Sequence, residues 1–133
     1  MESKQLLAGV LIALLAAACA PLVIPGKVML KLGQSAGDAS QSVEITFIEV
    51  LEDSRCPVDA VCIWAGRVKV LLEIGYGTEI QQYTLTLGQL LEGDIDSIAV
   101  GEYMITLIRV DPYPLVSQPV DPADYQITLN IQS

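Results

Sequence analysis

Side chains able to do chemistry are few in this chain, and most of them stand together in DSRCPVDAVCIWAG, residues 53–66. Cys56 and Cys62 enclose five residues, with Pro57 favouring a turn between them. The C-x-x-C spacing of thiol oxidoreductases is absent, so a redox site is not expected. In an exported protein such a pair forms a structural disulfide by default. Closing so small a loop contributes roughly 2–2.5 kcal/mol. A zinc site needs more ligands than three cysteines and no histidine can offer. The lack of His also removes the commonest base of a serine or cysteine triad. Lys27, Lys31 and Lys69 have no Ser in an S-x-x-K spacing. Glu92, Asp94 and Asp96 in LEGDIDS lack the remaining oxygen ligands of an EF-hand loop and read as solvated turn acids. Asp121 and Asp124 beside Pro122 read as turn residues too. The expectation is a protein that is not an enzyme and that uses neither cofactor nor metal.

The remaining residues of the stretch are then weighed as scaffold or as recognition surface. Asp53 and Ser54 can cap backbone N–H groups of the turn, and Arg55 has carboxylates close by in Glu49, Glu52 and Asp53. Asp53 and Arg55 are therefore expected as a structural cap and ion pair. Trp64 shares the parity of Val68 and Val70. A strand beginning near Cys62 would send its indole into the core beside the disulfide; the alternative is an exposed stacking platform. Val58, Asp59 and Ala60 have no structural duty in so short a loop, which makes them the candidate binding tip.

These residues must be held by a fold, and the chain is patterned for strands. Its 133 residues suit one domain, and 52% hydrophobic content implies a packed core. KVMLKLG, SVEITFIEVLE, RVKVLLEIG, EIQQYTLTLG, GEYMITLIRVDPYP and YQITLNI each alternate apolar with polar residues. In the second of these the alternation blurs at Ile48 to Val50, as at a bulge. Gly75 and Gly77 suggest a hairpin, GQSAGDASQ reads as turn, and GQLLEGDIDSIAV reads as a loop or a short edge strand. About seven short strands without a long amphipathic helix predict an all-β domain over 27–133, an antiparallel sandwich or barrel.

The first residues carry different information. LLAGVLIALLAAA, Leu6 to Ala18, is too short for a membrane span and has the small-residue ending of a secretion signal. LAAAC, Leu15 to Cys19, resembles the lipobox of bacterial lipoproteins, with Ala16 where Leu is commonest. The resemblance implies a signal peptide over 1–18, a lipid on Cys19, and a tether over 19–26 with Pro21 and Pro25. It also leaves Cys56 free to pair with Cys62. The net charge of −9 repels phosphate backbones, so nucleic acid is not an expected partner, and the lipid rather than the protein surface must hold the membrane.

DSRCP, four residues, then CIWAG resembles the hallmark of a group of small exported or lipid-anchored bacterial proteins. LKLGQSA and YMITLIRVDPYP extend the match over most of the domain. The resemblance implies a β-rich envelope protein and carries over no catalytic residues. The expected function is a non-catalytic binding or interaction module of the cell envelope, facing the periplasm or the exterior. Its expected partners are an envelope protein or a glycan. The alternative is a structural or protease-inhibitor-like protein presenting the Cys56–Cys62 loop.

Overall fold

The structure, a computed structural model, describes residues 22–133; the expected signal segment 1–18 and Cys19 lie outside the described residues. Period-two patterning becomes β1 (Leu22–Ile24), β2 (Gly26–Lys31), β3 (Ser35–Asp38), β4 (Val43–Asp53), β5 (Arg67–Tyr76), β6 (Glu79–Gly88), β7 (Ser97–Val100), β8 (Tyr103–Asp111) and β9 (Gln126–Gln132). They form two sheets, ordered β1-β3-β4-β5-β6 and β2-β9-β8-β7. All pairings are antiparallel except β1 with β3. The fold is all-β as expected, and of the sandwich and the barrel it is the two-sheet sandwich, with nine strands among the described residues rather than about seven.

The two unforeseen strands are short. β3 is SAGD, inside a Ser- and Gly-rich run that reads as turn, and β1 lies in the stretch 19–26 expected to be tether. Three or four residues hold too little apolar periodicity to be read as a strand, and both exist because a neighbour supplies the ladder. Leu22 pairs with Ala36 and Ile24 with Asp38, while Ala36 in turn pairs with Ile45 of β4. Ile24 is buried in the core, so the domain begins before residue 27.

Alternation builds the interior. β5 buries Val68, Val70, Leu72 and Ile74, and β9 buries Ile127, Leu129 and Ile131, each facing the opposite sheet with Val43, Ile45 and Phe47 of β4. Bulges correct the phase where the pattern slips. One lies between Phe47 and Glu49 of β4, and another between Leu107 and Arg109 of β8. The second lets Val110 follow Ile105 and Leu107 inward while Arg109 points to solvent. β5 and β6 are joined across Gly77 and Thr78, with Gly77 at φ +62 as the first central residue of a two-residue hairpin turn requires.

Burial of this quality predicts unequal costs of truncation. Leu129→Ala, at a fully buried position, should cost about 2–5 kcal/mol in denaturant unfolding. Ile80→Ala on the exposed start of β6 should stay within about 0.5 kcal/mol.

Candidate functional site

Three connections leave the same end of the sandwich: 54–66 between β4 and β5, 89–96 between β6 and β7, and 112–125 between β8 and β9. Arg55 holds the first to the last. Its guanidinium is buried, and Asp53 accepts from Nε and Nη2, both at 2.8 Å. Nη1 donates to the Val110 carbonyl at 2.6 Å, and Nη2 also donates to the Pro112 carbonyl at 2.9 Å. The Tyr125 hydroxyl donates to Asp53 at 2.8 Å, and the Tyr113 ring covers the guanidinium with its centroid 4.4 Å away. One cation thus joins the end of β4 to the end of β8 across both sheets, and Asp53 carries the link on to Tyr125 just before β9.

The expected cap and ion pair of Asp53 and Arg55 is present, with a narrower choice of partner than the neighbouring acids suggested. Glu52 faces Arg67 instead, at 3.3 Å. Tyr113, Tyr125 and the two carbonyl acceptors were not foreseen. Tyr125 reads as one more inward residue of an alternating strand, and nothing local links position 55 to DPYP some 55 residues away.

Burial by itself would raise the Asp53 carboxyl, but hydrogen bonds from Arg55 and Tyr125 outweigh it and hold the group below the usual carboxylate range. Burial likewise opposes the charge on Arg55, and Asp53 restores it. The Tyr125 phenol is pushed up to about 12, by burial first and then by its bond to Asp53. These perturbed groups compensate one another, and none of their shifts leaves a free acid or base.

Cys56 and Cys62 form the expected disulfide, with Cα atoms 5.8 Å apart. At the neck of the loop the Ser54 amide donates to the Arg67 carbonyl at 2.8 Å, and the Ser54 hydroxyl accepts from the Arg67 amide at 3.2 Å. Gly66 makes this closure possible. It sits at φ +70, where a Cβ would collide with the Ser54 carbonyl and the Arg55 backbone.

Two expectations for this loop are corrected. Trp64 is not a core residue: it is 58% exposed. The parity that would bury it holds only along a continuous strand, and β5 begins at Arg67, after a left-handed turn at Gly66 that resets the direction of the chain. Asp59 is not idle. Its carboxylate accepts from the Val116 amide at 2.9 Å, while the Val58 amide donates to the Pro114 carbonyl at 3.2 Å. The tip of Val58, Asp59 and Ala60 is therefore pinned to the 112–118 segment. What remains free is a set of apolar side chains: Val58, Val61, Ile63, Trp64, Tyr113 and Val116 are all exposed.

The 89–96 connection locks in from the other side. Asp94 takes Arg67 Nη1 at 2.7 Å, Lys69 Nζ at 3.0 Å and the Leu91 amide at 2.9 Å, so it is a clamp rather than the solvated turn acid expected. The Leu91 amide, followed by Lys69, keeps its carboxyl below the ordinary range. Thr86 donates to the Ile95 carbonyl and Leu107 to the Asp96 carbonyl, which lays this loop across both sheets. Among the described residues, no group of three or more Cys, Asp and Glu is placed to hold a metal ion. No protein-family model, curated protein or solved structure matches the chain.

Arg55→Ala should cost about 3–5 kcal/mol in denaturant unfolding, because it strands a largely buried carboxylate and two carbonyls. Arg55→Lys should recover only part of this, since an ammonium cannot reproduce the planar fork.

The pH dependence follows from the same groups. The depressed carboxyl of Asp53 stabilises the fold above the unfolded value of about 3.9 and ceases to do so as pH falls through its lower folded value. The raised phenol of Tyr125 stabilises fully below about 10 and loses that effect as pH rises towards its folded value of about 12. Thermal melts across pH should therefore fall off below about 4 and again between about 10 and 12. Tyr125→Phe should flatten the alkaline limb, leaving the part due to Tyr103, whose phenol is raised by burial and by Asp38.

Proposed function

We propose that this protein is a lipid-anchored module of a bacterial cell envelope that works by binding, with the joined 56–64 and 112–118 loops as its contact surface. One observation carries the reading: Val61 and Ile63 are almost wholly solvent-exposed on a loop whose backbone is fixed by a disulfide, a buried Arg and cross-loop hydrogen bonds. Rigid apolar protrusions are costly to leave in water and lose little entropy on docking, which is the balance a recognition surface needs. Cys19, in its lipobox-like setting, supplies the anchor on the outer side of the exporting membrane.

A non-catalytic role fits the commitments of the titratable groups. Asp53, Arg55, Tyr125 and Asp94 are perturbed because they hold loops together, and each is occupied by partners within the chain. A glycan would want exposed polar groups on the platform. Beside Asp59, the one charged side chain within 56–66 and 112–120, which already holds Val116, the platform offers only the exposed polar side chains Ser117 and Gln118. An inhibitor loop would offer an extended segment between the cysteines, whereas here Val58 and Asp59 are bonded to 114–116.

Photo-crosslinking in living cells tests the contact surface. A photoreactive residue at position 63 should form adducts with another protein, and one at position 80, exposed on β6, should not. Equal adducts from both positions, or none from either, would remove the loops as the contact surface. A fatty-acid probe should label the wild type and miss Cys19→Ser; label on both would remove the anchor.

A further inference from the structure

We infer that the open edge of β6 joins a second copy of this chain, so that the five-stranded sheet continues across a two-fold axis at Gln82. The inference goes beyond the contact surface proposed above and does not depend on it.

The edges of the two sheets are not alike. An unpaired edge invites another strand unless it is short, charged or interrupted. β1 is three residues long and β7 four. β2 carries Lys27 and Lys31. β6 has none of these devices. It is ten residues long, contains no Pro, and pairs with β5 without a bulge from Glu79 to Gly88. In a chain of net charge −9, its residues 80–88 carry no charge.

The free part of this edge selects both the occupant and the register. The Thr86 amide donates to the Ile95 carbonyl at 2.7 Å, so it points away from β5. Backbone groups of an antiparallel strand face the same side at every second residue. Those of Ile80, Gln82 and Thr84 therefore face outward as well, and among the described residues they meet no partner. Before Glu79 the strand ends in its hairpin turn, and beyond Thr84 the place in the ladder is taken by Ile95. The open stretch is thus symmetric about Gln82. A two-fold axis there sets Gln82 against Gln82 of the second copy and Ile80 against its Thr84, and every free amide and carbonyl is used. Sliding by two residues leaves Thr84 facing the turn at Thr78, or Ile80 facing the occupied Thr86.

Charge agrees with this register. Two acidic molecules approach one another most cheaply through a neutral strip. Glu79, the one charged residue of β6, falls opposite Leu85 of the second copy. The two Glu79 side chains then stand six residues apart, about 20 Å, well beyond the screening length of about 8 Å at physiological salt. The facing pairs are uncharged: Ile80 with Thr84, Gln81 with Tyr83, and Gln82 with itself.

Disulfide trapping reads the register. In purified full-length protein treated with copper phenanthroline, Gln82→Cys should run as a covalent dimer without reductant. Wild type, Ile80→Cys and Thr84→Cys should not. Position 80 lies about 14 Å from its own counterpart, out of reach of a disulfide, whose Cα atoms stand within about 7 Å. Co-expressing Ile80→Cys with Thr84→Cys should restore the covalent dimer. Untreated wild type should sediment at twice the mass of one chain, and its thermal midpoint should rise with protein concentration. Gln82→Lys sets two ammonium groups face to face. It should sediment as one chain that still unfolds cooperatively, at a midpoint independent of concentration. Wild type at the mass of one chain, equal trapping of Gln82→Cys and Ile80→Cys, or a Gln82→Lys variant that stays dimeric would each overturn the inference. A Gln82→Cys adduct in cells with a chain of another mass would give the edge to a different protein and overturn it too.

Discussion

A buried guanidinium is expensive unless every donor is used, and the loop end of this sandwich is arranged around that requirement. Arg55 spends its donors on Asp53 and on the carbonyls of Val110 and Pro112. Those acceptors belong to β4 and to the end of β8, in different sheets. The bulge in β8 is part of the same constraint. By moving Val110 into the inward phase, it fixes where the carbonyl that accepts from Arg55 falls. Asp53 cannot relax independently either, since Tyr125, just before β9, donates to it. A loop end that would otherwise be three separate connections becomes one body.

Residues whose structure follows from their own neighbours were legible in the sequence. Val68 to Ile74, with Leu71 the one apolar residue at an outward position, and Tyr125 to Ile131 alternate, and their burial follows the alternation. The disulfide was legible because the number and close spacing of the cysteines, with the expectation of export, already pointed to that pair. What escaped depends on residues far apart in the chain. β1 and β3 are strands because β4 pairs with β3, and SAGD by itself reads as turn. Arg55 could be matched to an acid two positions away, but its carbonyl acceptors are reached only through the packing of two sheets. Asp94 similarly sits among acids that look solvated until β5 brings Arg67 and Lys69 to it.

Trp64 departs from the parity of Val68 and Val70 because its loop lacks the extended backbone that parity requires. Side-chain parity is meaningful only where the backbone stays extended. Between Cys62 and Arg67 the chain bends and passes through a left-handed glycine, so counting back from Val68 crosses a break. The signal was present in Gly66 itself, which follows Trp64 and Ala65 directly. A glycine at that distance from a strand start is as compatible with a turn as with a close strand contact.

The outward indole is then a consequence of how the loop is closed. Ser54 must meet Arg67 for β4 and β5 to continue as a pair, and that approach leaves no room for a Cβ at position 66. The Gly66 carbonyl also accepts from Gln89, which ties the same turn to the 89–96 loop. Turning Trp64 inward would require undoing these bonds, next to the buried Arg55 whose position depends on them. Burying an indole is favourable on its own, so its exposure here reflects the stronger demand of satisfying the backbone and the guanidinium around it. The apolar tip is therefore held out by the polar interior of the loop end, and its shape does not depend on what it meets.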